Sequence, residues 1–392
     1  MSFFVLRRLP AVPLMACLAL AVTACATPAA AATPSSPAAA AAPRLELPRP
    51  TGPDPVGRDL LYLVDEGRKD PWVPESGPRR LMLSMYYPAR STTGAAAEYM
   101  TTEEAASFLR RKAPGTKLPA EFISGIRTYA HTGTPPKKGR YPLVLVSPGL
   151  SLPRASLTAL AEDLASRGYV VATIDHAYES SGTVFPGIGL LTCEPLCDQP
   201  KPPPGGKATI TRNRAKDVSF VLDRLTGHHP AWKRANLINS KRIGMVGHSL
   251  GGDAASASML ADTLIKAGVN LDGTISATLP STGVGNRPFL LMGSQSDHVP
   301  GKDETWDSTW KALHGWKRWL TVAHTEHNSF TDLAIPKSKL GQSAPDTIAA
   351  ERGIAITRTY VAAFFDLHLK HRKQPLLDAP TPANPEVTFH NP

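Results

Sequence analysis

Long basic runs are missing from this sequence. Its formal charge is +10, yet no stretch of Lys and Arg is longer than Arg110-Arg111-Lys112. Cations scattered in this way give a basic surface, not the concentrated stripe that holds nucleic acid, so no nucleic-acid partner is expected. Cysteine is scarce, with four in 392 residues. Cys17 and Cys25 fall at the N-terminal end, and Cys193 and Cys197 have no neighbouring histidine or further cysteine to complete a zinc set. Charged residues are only 19% of the chain and apolar ones 42%, while 38 Pro and 30 Gly imply many loops without reaching a disordered composition. The length suits one large α/β domain with extensions.

A membrane-spanning run is also absent. Leu9 to Ala24 is apolar but short and broken by proline, and Arg7 and Arg8 precede it. That order reads as an export signal over residues 1–24. Val22-Thr23-Ala24-Cys25 resembles the bacterial lipobox, which would make Cys25 the lipidated first residue and the membrane surface a partner; simple cleavage after an alanine is the alternative. Residues 25–56 read as an Ala- and Pro-rich tether that offers no core. The catalytic domain is expected over 57–392, exported and held at the outer face of a bacterial membrane, or otherwise secreted.

Strand signals open with Asp59 to Val64 and Leu81 to Tyr87, an expected antiparallel pair. Thr101 to Lys112 and Pro119 to Tyr129 have helical patterns and could border a substrate mouth. Tyr141 to Ser147 is a continuous apolar run, as a strand buried on both faces requires. Arg154 to Arg167 reads as an amphipathic helix stopped by Gly168, and Tyr169 to Asp175 completes a βαβ unit. Strands near Arg242, Val269, Pro288 and Trp316 extend a mostly parallel sheet with helices on both faces, and Ala349 to Lys370 packs on it as a closing helix. The fold class is α/β.

Gly247-His248-Ser249-Leu250-Gly251-Gly252 lies between a run of strand formers and a small-residue helix. This is the context in which Gly-x-Ser-x-Gly forms a strained turn that exposes the serine as a nucleophile. An oxyanion needs two backbone N–H donors. Leu250, after the nucleophile, supplies one, and Leu150 in the loop Pro148-Gly149-Leu150 supplies the other. The general base belongs on a late loop. His327 in His324-Thr325-Glu326-His327 is preferred, with His324 nearer the strand, and His228, His229, His298 and His314 lack a comparable setting. Two aspartates end strands and compete as the acid. Asp272 closes Val269-Asn270-Leu271, and a carboxylate at a buried strand end needs a partner; Asp297 lies in the polar loop Gly293-Ser294-Gln295-Ser296, after the later strand, where architecture alone would put the acid. Residues 177–212 form a long Gly- and Pro-rich loop, either a lid or a plain insertion. Cys193 and Cys197 within it are expected to form a local disulfide.

Four motifs together resemble the α/β-hydrolases of the platelet-activating factor acetylhydrolase (plasma, isoform II) type and their bacterial lipase and esterase relatives: Ser147-Pro148-Gly149-Leu150, Gly247 to Gly252, Val269 to Gly273, and His327 to Asp332. The resemblance spans about Gly57 to Lys370. It implies Ser249, Asp272 and His327 as the triad, and no metal or organic cofactor. Pro148 stands where the family commonly has histidine. The implied function is hydrolysis of lipid-type carboxylic esters with short or oxidised acyl chains through an acyl-enzyme on Ser249. A broad carboxylesterase, cutinase or polyester hydrolase is the alternative among enzymes. A non-catalytic lipid- or wall-binding protein on the same scaffold is the alternative from another class.

Overall fold

Residues 44–391 are described by the structure, a computed structural model. The expected export signal, Cys25 and the first part of the tether lie outside the described residues. The later part of the tether does not behave as one. Leu45 and Leu47 are buried, Arg127 N donates to Leu45 O and Leu47 N to Arg127 O, and Arg358 donates to the carbonyls of Pro48 and Arg49. The folded region therefore begins by Arg44 and not at Gly57, because two leucines in a Pro-rich stretch find an apolar surface from later in the chain.

The chain then gives β1 (Val56–Lys69) and β2 (Pro78–Pro88), antiparallel with Leu61 opposite Leu83, so the early pair is as expected but longer. Next come α1 (Thr102–Lys112), closed by a Thr101/Glu104 capping box, the single turn α2 (Glu121–Ser124) and β3 (Ala130–His131). Only α2 of the stretch from Pro119 to Tyr129 is helical. β4 (Tyr141–Ser147), α3 (Thr158–Ser166) and β5 (Val170–His176) make the βαβ unit. The hairpin β6 (Thr183–Phe185) and β7 (Gly189–Leu191), the turn α4 (Glu194–Cys197) and α5 (Gly206–Thr226) follow. Then come β8 (Ile238–His248), α6 (Leu250–Ala261), β9 (Ile265–Leu271), β10 (Gly283–Asn286) and β11 (Phe289–Ser294). The chain closes with α7 (Glu304–Ala312), β12 (Lys317–Val322), α8 (Ala334–Lys339), α9 (Ala350–Lys370) and β13 (Val387–His390).

Ten strands form one sheet in the order β13-β12-β11-β9-β8-β4-β5-β2-β1-β3. The six from β12 to β5 run parallel, as crossover helices require, and β2 and β13 flank them antiparallel. One face packs on α3 and α9 through Leu160, Leu164, Phe364 and Phe365; the other packs on α5, α6 and α7 through Val221, Met259 and Trp306. Each such large apolar side chain contributes about 1.5–3 kcal/mol by leaving water. The helix α3 is not amphipathic as expected: all nine residues are buried. Its polar groups are consumed by neighbours, since Glu162 accepts from the N–H groups of Tyr129 and Ala130, and Asp163 accepts from Thr51. This architecture places the C-terminal ends of β4, β8, β9, β11 and β12 along one edge, where an open α/β sheet presents its loops for chemistry.

Candidate active site

Ser249 occupies the turn between β8 and α6 with φ of 55°. The turn is possible because of its glycines. A Cβ on Gly247 would lie 2.0 Å from Gly251 O, and one on Gly251 would lie 1.9 Å from Ser147 O, so strand, helix and the β4 loop meet at backbone contact. Ser249 N donates to Leu271 O (2.8 Å), which ties the turn to the end of β9. As first residue of α6, Leu250 has no intrahelical acceptor for its N–H.

The next residue after β9 is Asp272, buried and also at positive φ (55°). Its Oδ2 accepts from His327 Nδ1 at 2.6 Å, and its Oδ1 accepts from Ser294 N at 2.6 Å. Burial works to raise this carboxyl, but the His327 hydrogen bond, the nearby His298 and His327 and the Ser294 N–H together hold it below the usual carboxylate range. His327 begins a short 3-10 turn, His327–Phe330, just beyond β12, and its side chain is 48% exposed. With Nδ1 committed to Asp272, Nε2 is the nitrogen available for proton transfer. Ser249 and His327 line one cavity of about 300 Å³. Its other walls are largely apolar, from Phe108 and Leu109 of α1, Ile123 of α2, Leu152, Leu333 and Leu340, with Lys112, Asn328, Lys337 and Gln342 adding polar groups. Both segments expected at a substrate mouth, around α1 and α2, are thus at its wall.

Asp297 does not reach His327; it is exposed and accepts from the Ser294 and Ser296 hydroxyls. Its neighbour His298, set aside on sequence grounds, is the closer group. His298 is buried, stacks on Trp306 (ring centroids 4.1 Å apart), and brings Nε2 within 3.6 Å of Asp272 Oδ1 and Nδ1 within 3.0 Å of Asp303 Oδ2. His324 sits on the turn after β12, exposed, with its carbonyl accepting from Ile348 N. His248 was also missed. Its Nε2–H donates to the His327 carbonyl (2.7 Å), and burial followed by the adjacent His327 pushes its imidazole down to about 3, so it is neutral. No local pattern in the sequence distinguishes His248 or His298, because both act through residues remote in the chain.

The loop after β4 lies against the nucleophile: a Cβ on Gly149 would stand 3.2 Å from Ser249 Cβ. Leu150 also lines the cavity, and its side chain packs with Leu250, Leu196, Ile210 and Trp72. Cys193 and Cys197 are disulfide-bonded. The 177–212 segment contributes no residue to the cavity wall, and Leu196 beside the disulfide packs behind the oxyanion loop instead. The 177–212 segment is accordingly closer to the plain insertion than to the lid, and the cavity is bordered instead by Leu333, Pro336, Lys337, Leu340 and Gln342, around α8. Among the described residues no group of His, Cys, Asp and Glu is arranged to hold a metal, and no helix is long and apolar enough to cross a membrane.

The family model described as platelet-activating factor acetylhydrolase, isoform II, matches residues 39–185, and that of the dienelactone hydrolase family matches residues 126–321. A solved ferulic acid esterase from Streptomyces cinnamoneus is 42% identical, covers 88% of this chain and 99% of its own, and superposes with a TM-score of 0.78. The chain belongs to the same family of α/β-hydrolase-fold esterases as that enzyme, and its first part is similar to the platelet-activating factor acetylhydrolases. A "Probable 1-alkyl-2-acetylglycerophosphocholine esterase" of Arthroderma benhamiae is 29% identical over 388 residues, 88% of this chain and 93% of that protein. A bis(hydroxyethyl) terephthalate hydrolase of Streptomyces coelicolor is 25% identical over 185 residues, 47% of this chain and 48% of its own. Members of this group hydrolyse carboxylic esters, and this chain is such a hydrolase.

Proposed function

We propose that Ser249 attacks the acyl carbonyl of an ester while His327, oriented by Asp272, takes the hydroxyl proton and passes it to the leaving alcohol. The N–H groups of Leu150 and Leu250 receive the oxyanion, and water then attacks the acyl-Ser249 ester with His327 again as base. The observation that carries this reading is the 2.6 Å His327 to Asp272 hydrogen bond at the wall of the cavity that Ser249 also lines. The substrate proposed is a lipid-type ester with a short or oxidised acyl chain, in keeping with the likeness to the acetylglycerophosphocholine esterase. A largely apolar cavity of about 300 Å³ suits a compact acyl group. A second reading is an ester of an aromatic acid, favoured by the 42% identity to a ferulic acid esterase and by Phe108 in the cavity wall. Export through the N-terminal signal, with Cys25 as lipid anchor, completes the proposal and would put the enzyme at a membrane surface.

The test combines a p-nitrophenyl ester series, a phospholipid with a short sn-2 chain, and methyl ferulate, assayed on the wild type and Ser249→Ala. Turnover is expected on C2 to C4 esters and on one of the two natural-type substrates. Loss of roughly 10⁴-fold or more is expected in the variant. Faster turnover of C16 than of C2 to C4 would overturn the acyl assignment, and a wild type unlabelled by a fluorophosphonate would overturn the enzyme itself.

A further inference from the structure

Behind the loop that follows β4 lies a buried set of charges. Arg79 of β2 donates to Asp70, Glu179, Asp217 and the Ala177 carbonyl; Asp217 of α5 also pairs with Arg68 and with His176 at the end of β5. Glu179 bridges from Arg79 to Arg214 of α5, with 2.8 Å between Arg214 Nε and Glu179 Oε2. The side chains of Asp70, Arg79, Glu179, Arg214 and Asp217 are at most 1% exposed. Burial opposes ionisation of Glu179, and Arg214 and Arg79 outweigh it and hold this carboxyl below its usual range. Much of this cluster joins strands and helices far from any reacting atom. One arm does not.

Arg214 Nη1 donates to the Pro148 carbonyl (2.5 Å) and to Ser147 Oγ (3.1 Å). Glu179 contributes a second hold, since its backbone carbonyl accepts from Ser151 N (2.8 Å), and Leu152 N donates to Gly149 O (3.1 Å). Pro148 O, Gly149 O and the Ser151 N–H are therefore each committed, and the Leu150 N–H lies between them, where the reading above assigns it to the oxyanion. The loop has no ladder of its own to fix these peptide planes, and Gly149 lowers the barrier to turning them over. Were the Pro148–Gly149 peptide to turn over, Gly149 would be displaced and the Leu150 N–H that follows it would lose its aim at the developing negative charge.

We propose that Arg214, backed by Glu179, is a positioning residue for ester hydrolysis: by holding the Pro148 carbonyl it fixes the Pro148–Gly149 peptide, the base from which the next peptide, held by Leu152 N at Gly149 O, presents the Leu150 N–H to the oxyanion. This rests on the reading of Ser249 and Leu150 given above. A donor fixed in this way acts mainly on the transition state, whose oxygen is charged, and little on the ground-state ester. Arg214→Lys retains the charge but cannot reach Glu179 Oε2 and Pro148 O with separate nitrogens of one rigid fork, so it tests aim apart from charge.

The experiment compares wild type, Arg214→Lys, Arg214→Met and Asp70→Asn on p-nitrophenyl acetate, with inhibition by a trifluoromethyl ketone as a second readout. Asp70→Asn weakens the same cluster without touching the loop. For both Arg214 variants kcat should fall about 10²- to 10³-fold, the loss typical of one oxyanion donor. KM should stay within about threefold, and the ketone should weaken in parallel with kcat. Asp70→Asn should lower the melting temperature and leave kcat within about threefold. Should Arg214→Met fail to fold, Arg214→Lys carries the test, since it keeps the buried charge. Folded Arg214 variants with wild-type kcat, or a loss confined to KM, would overturn the proposal, as would an equal kcat loss in Asp70→Asn. A wild type with no esterase activity would instead refute the functional reading beneath it.

Discussion

Replacing Asp272 by Asn removes a charge without removing volume, and the geometry sets the consequence. Asn Oδ1 can still accept from Ser294 N, so the strand end should hold. The remaining amide nitrogen then faces His327 Nδ1, where the carboxylate now accepts at 2.6 Å. An amide N–H can only donate, so the imidazole must present Nδ1 as acceptor and carry its proton on Nε2. That tautomer cannot take the Ser249 proton. The corresponding loss in triads is ~10⁴-fold in kcat, or about 5.5 kcal/mol of transition-state stabilisation at 1.36 kcal/mol per decade. Asp297→Asn, by contrast, alters an exposed carboxylate bonded to two serine hydroxyls and should cost less than about tenfold. Steady-state kinetics on p-nitrophenyl acetate at several pH values separates the two, with melting temperatures to exclude unfolding. A larger loss in Asp297→Asn would move the acid to the loop after β11 and refute the argument.

Three further outcomes follow from named contacts. Glu162, buried in α3, is pushed up to about 7 from 4.5 by burial; the native state holds its proton where the unfolded chain releases it, so this group favours the fold below pH 4.5 and loses that contribution as pH rises through 7. Glu162→Gln should flatten the fall of melting temperature over that window, and an unaltered slope would disprove the assignment. Gly251→Ala puts a Cβ 1.9 Å from Ser147 O, a backbone clash expected to destabilise by about 1–3 kcal/mol and to suppress turnover; normal calorimetry and kinetics would mean that the elbow and the β4 loop are not in contact. Substituting serine for both Cys193 and Cys197 should speed thermal inactivation, at about 2 kcal/mol for so small a loop, while KM stays unchanged because neither residue borders the cavity. A clear KM change would restore the lid.

Sequence legibility tracked how local each signal is. The parallel strands could be read because burial on both faces demands uninterrupted apolar runs such as Leu143 to Val146. Ser249 was marked by glycines within two residues, and the preference for Asp272 over Asp297 came from the resemblance of Leu271-Asp272-Gly273 to the acetylhydrolase pattern together with a carboxylate stranded at an apolar strand end. What escaped was non-local. Arg68, Asp70, Arg79, His176, Glu179, Arg214 and Asp217 are spread over 150 positions and look like ordinary surface charges until β2, β5 and α5 bring them together. Helix α3 carries Glu162 and Asp163 where an exposed face would put them, yet both are buried and bonded to residues from distant segments. Leu45 and Leu47 were lost in a proline-rich composition, and β13 is too short, four residues, to announce itself.

That last strand bears on how the polypeptide is made. β13 is the outer neighbour of β12, pairing Val387 with Val322 and His390 with Trp319, and Ala323 N donates to Glu386 O at the point where the strand leads towards His327. A chain clipped at Lys370, the end of α9, would still carry Ser249, Asp272 and His327 but would leave one side of β12 with unpaired N–H and C=O groups. The strand that leads to His327 thus gains its second partner only when Val387 to His390 have been added. Until then the sheet is incomplete at the edge nearest the candidate site.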